Sequence, residues 1–102
     1  MSIQRQRGNE AERAIAKRLG GRRVGQFGGE DVILPWASVE VKERVSFPAW
    51  LIEAVGQAWG HAKKGQLPLV VLHTLGTRHG KDMVVMRLED FEGWFGDLKR
   101  GA

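Results

Sequence analysis

The sequence predicts an α/β fold, with a mixed β-sheet flanked by helices, because two kinds of hydrophobic periodicity alternate along its 102 residues. Three segments carry apolar side chains at helical spacing, at the start, middle and end of the chain. Between them lie short runs of β-branched residues bounded by glycine and proline, as is typical of strands. The order helix, strand hairpin or meander, helix, strand, strand, helix favours one domain over residues 1–102.

The first predicted helix covers Asn9 to Leu19 and ends at Gly20-Gly21. Its apolar stripe consists of Ala11, Ala14, Ile15 and Leu19. An irregular strand is expected from Arg22 to Phe27, where a glycine and two arginines interrupt the pattern. A hairpin follows, with Ile33 and Leu34 running into a turn at Pro35-Trp36-Ala37, where proline removes a ladder donor. Its second arm is predicted from Ser38 to about Arg44.

The second half begins with the clearest helix, predicted from Pro48 to Lys63 with a proline in its first turn. The apolar run Leu67 to His73 predicts a strand covered on both faces and therefore central in the sheet. A basic loop from Thr74 to Lys81 leads to another strand, Met83 to Arg87. A closing helix is predicted from Leu88 to Leu98.

Three ionisable side chains are expected at one end of the hairpin. In the second arm, valines alternate with Glu40 and Lys42, so the carboxylate and the ammonium share the face opposite the core. Asp31 begins the preceding strand, and antiparallel pairing brings its carboxylate close to that of Glu40. Two carboxylates this close repel each other, so they favour either a shared proton or a shared divalent cation. We interpret the cluster as a site for metal-dependent phosphodiester cleavage.

Charge points to the same class of partner. Sixteen lysines and arginines against twelve acidic residues give a formal net charge of +4, which favours a polyanion. Much of the excess lies in the first quarter of the chain, as a phosphate-facing flank requires. The sequence has no cysteine, which excludes disulfides and thiolate metal sites. It also lacks an apolar run long enough for a membrane helix, so we expect a cytoplasmic protein that does not bind membranes.

Asp31 together with Glu40-Val41-Lys42 resembles the signature of the PD-(D/E)XK nuclease superfamily. Upstream, the segment from Arg7 to Arg13 resembles the opening of the archaeal-type Holliday junction resolvases, in which a basic residue and a glycine precede a helix with a glutamate-arginine pair. The resemblance extends loosely from Arg7 to about Arg87. The closing helix, with Phe91, Trp94 and Phe95, resembles phage-encoded versions.

This resemblance implies a restriction-endonuclease-like αβββαβ core and catalysis by Glu12, Asp31, Glu40 and Lys42. The expected metal ligands are Asp31, Glu40 and the backbone carbonyl of Val41, with Glu12 at a second ion or through water. One or two Mg²⁺ ions are expected, with Mn²⁺ as a substitute, and Lys42 is expected to position the attacking water or neutralise charge. Glu10 competes with Glu12 for its role. The expected DNA contacts are Arg5, Arg7, Arg13 and Gln57.

The function expected from these features is a structure-selective endonuclease, a Holliday junction resolvase that nicks four-way junctions symmetrically as a homodimer. Two alternatives stay open: a flap, nick or duplex endonuclease of the same superfamily acting in replication, repair or packaging, and a DNA-binding module whose acids hold no metal. Trp36 and Trp50 are the candidate tryptophans for partner contact. His61, His73 and His79 lack the paired spacing of a zinc site, so no catalytic role is expected for them.

Overall fold

The structure, a computed structural model, describes residues 3–24 and 31–96, and the side chains within 10–24 and 31–96. Its helices and strands are α1 (Ile3–Leu19), β1 (Arg22–Arg23), β2 (Val32–Leu34), β3 (Ala37–Val39), α2 (Ala49–His61), β4 (Val70–Leu72), β5 (Met83–Val85) and α3 (Leu88–Phe95). A 3₁₀ turn over His79–Lys81 lies between β4 and β5. The predicted α/β class and the order of elements are confirmed, but the predicted mixed central sheet is not found among the described residues, whose strands pair only antiparallel in two separate sheets.

The chain divides after Val45 into two compact units. The first unit contains α1 and the strands β1 to β3, and the second, Ser46–Phe95, contains α2, β4, β5 and α3. The prediction of one domain over residues 1–102 stays a prediction.

The strands of the described residues form two antiparallel sheets, one ordered β1-β2-β3 and one of β4 and β5. The expectation of a central β4 is wrong for this part of the chain, since β4 pairs there with β5 only. The alternation of burial along β4 explains the error, because Val71 at its centre is 59% exposed while its neighbours are half-buried. A continuous apolar run therefore does not mean a strand covered on both faces.

The core of the first unit lies between α1 and the strands β1 and β2. Its buried side chains are Ala16, Leu19, Val32 and Leu34. Along α1, the half-buried and buried positions are 11, 12, 15, 16 and 19, and those from 12 onward have the i, i+3, i+4, i+7 spacing of one helix face. The expected stripe included Ala14, which is exposed, instead of Ala16. The shift has a consequence for Glu12, because it places this acid on the face that packs against the sheet.

A glycine pair ends α1 and lets the first hairpin (β2 and β3) approach it closely. Gly20 has a φ of 75°, and the N–H of Gly21 donates to the carbonyl of Ala16 at 2.8 Å, the pattern of a Schellman C-cap. A Cβ on Gly21 would lie 2.6 Å from Leu34 Cδ2 and 2.7 Å from the Ile33 carbonyl oxygen. Only glycine fits at this contact between the helix end and the hairpin.

The second unit is built differently, because it buries little apolar surface among its described residues. α2 contacts β4, and its half-buried stripe consists of Leu51, Ala54, Val55 and Ala58. The large apolar side chains of Ile52 and Trp59 lie outside this stripe and are 57% and 50% exposed. The guanidinium of Arg87 lies over the Trp59 ring, 4.8 Å from its centroid. This cation–π contact joins α2 to the segment before α3.

Candidate active site

The first hairpin brings Asp31 to the end of its ladder, next to Val39 and the Glu40-Val41-Lys42 segment. Its pairs are Val32 with Val39, Ile33 with Ser38 and Leu34 with Ala37, around the two-residue turn Pro35-Trp36. The N–H of Asp31 donates to the carbonyl of Val39 at 2.9 Å, one residue out of step with the Val32–Val39 pair. The regular ladder therefore ends at Val32 and Val39, and Asp31 lies next to Val39 at the open end of the hairpin, where Glu40 follows on the other arm.

The Asp31 carboxylate is held at this end of the hairpin by a backbone donor of the opposite arm. The N–H of Val41 donates to Asp31 Oδ2 at 2.7 Å, and the bond is partly buried. Because the ladder ends at Val39, this side-chain acceptor satisfies an N–H that has no strand partner there. The bond therefore fixes the carboxylate beside the Glu40-Val41-Lys42 segment.

Glu40 and Lys42 leave the ladder but keep the alternation that the sequence predicts. β3 ends at Val39, so the expected second arm from Ser38 to Arg44 is shorter than predicted. Over residues 39–42, however, the valines are half-buried and Glu40 and Lys42 are exposed. The side chains of Glu40 and Lys42 are therefore both open to solvent.

Glu12 forms an ion pair with Arg23 of β1. Glu12 Oε2 is 3.5 Å from a guanidinium nitrogen of Arg23, and the two side chains are 15% and 22% exposed. The described residues contain one group of three His, Asp or Glu ligand atoms close enough to hold an ion, and Glu12, Asp31 and Glu40 do not form it. Glu10, its competitor, is exposed.

The predicted DNA contacts are described in part. The side chains of Arg5 and Arg7 lie outside the described residues. Arg13 is exposed on α1, and Gln57 is exposed on α2 in the second unit. Of the tryptophans expected at a partner surface, Trp36 is half-buried in the turn of the first hairpin and Trp50 is 59% exposed.

A second cluster lies on the second hairpin (β4 and β5), where no site was expected. His73 Nδ1 is 2.6 Å from Asp82 Oδ1, and His79 Nδ1 is 3.0 Å from Asp82 Oδ2. The two imidazole rings are stacked with centroids 4.2 Å apart. This is the group of three side chains whose ligand atoms lie within 4.8 Å of one another. The sequence signal was a histidine at a strand end and an aspartate at the next strand's start, since Leu72 pairs with Met83.

Comparison of the chain with protein-family models, with curated proteins and with solved structures finds no match. Among the described residues, no helix combines the length and the apolar character needed to cross a bilayer.

The donor atoms at the end of the first hairpin are of the type that Mg²⁺ prefers. Asp31 and Glu40 offer carboxylate oxygens, and the carbonyl of Val41 offers a third from the same segment. Glu40 is exposed, so this side of the site is open to water and to a phosphate. Magnesium keeps several waters and uses few protein ligands, so two carboxylates at an open hairpin end fit its chemistry.

Proposed function

We propose that this protein is a magnesium-dependent DNA endonuclease of the PD-(D/E)XK type, with its active site at the open end of the first hairpin. The observation that carries the proposal is the 2.7 Å bond from the Val41 N–H to Asp31 Oδ2. This bond joins the acid to the Glu-X-Lys segment, the two parts of the motif. The order α1-β1-β2-β3-α2-β4 supports the αβββαβ core that we propose with it.

Each residue of the site has a role that follows from its position. Asp31 and Glu40 bind the cation, with the Val41 carbonyl as a third oxygen donor. Bound Mg²⁺ supplies Lewis acidity toward the scissile phosphate and lowers the pKa of a ligated water. Lys42, exposed on the same side as Glu40, positions the attacking water and neutralises the charge that builds on the phosphate oxygens. Glu12, which is paired with Arg23 in the structure, is proposed to serve a second ion or to act through water.

The preferred substrate that we propose is a four-way DNA junction, cut at two symmetric positions by a homodimer. A C2 dimer presents two copies of one active site, which matches the two equivalent strands of such a junction. The basic side chains of α1, with Arg13 exposed, supply contacts to phosphates that read shape instead of sequence. A flap, nick or duplex endonuclease uses the same site on a different substrate.

The test is a cleavage assay on labelled four-way junction, flap and linear duplex of shared sequence, with Mg²⁺, Mn²⁺ or chelator. Paired symmetric nicks in the junction alone, lost with chelator, are the expected result. Cutting of the flap or the duplex instead would support the proposed metal-dependent cleavage and would show that the four-way junction is not the preferred substrate. DNA binding without any metal-dependent cutting contradicts the proposal and supports a binding module.

Glu40→Gln provides the matched variant, because it removes a charge from an exposed side chain and changes little else. We expect it to lose cleavage and to retain DNA binding. Glu43→Gln is the control, since Glu43 is also exposed and lies three residues further along the same segment. Equal activity of the two variants would remove Glu40 from the site.

A further inference from the structure

We propose that His73, His79 and Asp82 form a binding site for a transition-metal ion of the Zn²⁺ class, separate from the magnesium site. Two imidazole nitrogens and a carboxylate oxygen suit a borderline-soft cation such as Zn²⁺, Co²⁺ or Ni²⁺. Mg²⁺ prefers oxygen ligands only, so these three side chains are a poor ligand set for it. Metal binding at the second hairpin is independent of the proposed cleavage at the first.

The backbone of the second hairpin brings the three side chains together. Pairing of Leu72 with Met83 puts His73 and Asp82 opposite each other at the next position, toward the turn. The 3₁₀ turn over His79–Lys81 then returns the chain, and the N–H of Asp82 donates to the His79 carbonyl at 3.0 Å. The site is therefore preformed by the ladder and the turn.

The distances are close to those that a shared ion requires. Two ligands at about 2.1 Å from one metal lie roughly 3.0 to 3.4 Å apart in octahedral or tetrahedral geometry. The nitrogen-to-oxygen distances from Asp82 to His73 and to His79 are 2.6 and 3.0 Å. All the ligand atoms of the group lie within 4.8 Å of one another, so the widest pair closes by up to roughly 1.4–1.8 Å when one ion binds all three side chains.

The burial of the three side chains is graded in a way that suits an open metal site. Asp82 is 10% exposed, His73 is 32% exposed and His79 is 83% exposed. The carboxylate is thus anchored inside, while the outermost imidazole leaves the site open to solvent. Three protein ligands leave at least one coordination position for water or an anion.

The experiment is a Co²⁺ titration of the untagged protein, followed by visible absorption and calorimetry, with Zn²⁺ as competitor. All proteins carry Asp31→Asn, so that the first hairpin does not contribute. We expect one equivalent to bind, Zn²⁺ to displace it and excess Mg²⁺ to leave it in place. His79→Ala and Asp82→Asn should each weaken binding by at least about tenfold.

His61→Ala is the matched control, because His61 is an exposed histidine of the same unit at the end of α2. It should bind Co²⁺ like the parent protein. His79 is mostly exposed, so its replacement should leave the circular dichroism spectrum unchanged. Equal binding by His79→Ala and the parent, or equal losses in His79→Ala and His61→Ala, would overturn the proposal.

Discussion

The two hairpins of this protein carry acid-bearing clusters of different composition at opposite ends. In each, the cluster lies beyond the last ladder pair, with Asp31 hydrogen-bonded to Val39 and Val41 on the first hairpin and His73 facing Asp82 on the second. The first lies at the open end of its hairpin and offers oxygen donors only. The second lies at the turn and offers two nitrogens and a carboxylate. The ligand atoms that accompany the carboxylates, more than the carboxylates themselves, therefore select which cation binds.

The largest effect is expected from replacing Lys42, the lysine beside the first site. Lys42→Ala should lower metal-dependent cleavage by at least about 100-fold, because it removes a charge placed beside the reacting phosphate. DNA affinity should change little. Lys81→Ala is the control, since Lys81 is an exposed lysine of the second hairpin's turn. Cleavage rates from single-turnover assays decide, and a normal rate for Lys42→Ala would break the assignment of the motif.

The next effect concerns how much the contact between the end of α1 and the first hairpin contributes to the free energy of unfolding. Gly21→Ala should destabilise the protein by about 1–3 kcal/mol, because its Cβ would press on the Ile33 carbonyl and on Leu34. Gly56→Ala, in α2 with nothing within 4 Å, should instead be neutral or raise stability by up to about 1 kcal/mol. Urea denaturation measures both.

If the hairpins are separate sites, Gly21→Ala should also weaken cleavage more than it weakens Co²⁺ binding at the second hairpin. Equal stability of the two glycine variants would contradict the close contact between the end of α1 and the first hairpin.

Much of the first hairpin could be predicted from the sequence, because its signals are local. Proline predicts the position of the turn, and the alternation of valines with Glu40 and Lys42 predicts which side chains of the second arm are exposed. The position of Glu12 could not be predicted in this way. Ala14 and Ala16 are equally apolar, and the choice between them rotates the buried face of α1. That rotation brings Glu12 to Arg23.

The second cluster escaped prediction for a different reason. Its spacing depends on a 3₁₀ turn and on Gly76, whose φ of 86° lets the loop turn back. Histidines six residues apart match no common zinc motif in sequence. The edge position of β4 was missed as well, since hydrophobicity alone does not count a strand's neighbours.

A smaller effect separates the two roles of the Asp31 carboxylate. Asp31→Asn keeps an oxygen that can accept the Val41 N–H, whereas Asp31→Ala leaves this partly buried donor without its acceptor. We expect Asp31→Ala to be less stable than Asp31→Asn by about 1–2 kcal/mol in urea denaturation. Both should lose cleavage. Equal stabilities would show that the bond does not hold the hairpin end.

The smallest effect is expected on DNA binding by the basic residues of α1. Replacing Arg13 by alanine should reduce the slope of log affinity against log salt by about 0.9 if it contacts one phosphate. Arg5→Ala and Arg7→Ala should act alike. Lys63→Ala, an exposed lysine after α2, is the matched control. Fluorescence anisotropy at several salt concentrations gives the slopes, and unchanged slopes would exclude α1 from the interface.

Nicking of a four-way junction with Mg²⁺ by Asp31→Asn and by Asp82→Asn tests the proposed active site most directly. Each variant neutralises one carboxylate at one hairpin end. We expect Asp31→Asn to be inactive while binding the junction normally, and Asp82→Asn to cut like the parent protein. Normal nicking by Asp31→Asn, or loss of nicking in Asp82→Asn alone, would contradict the assignment of cleavage to the first hairpin.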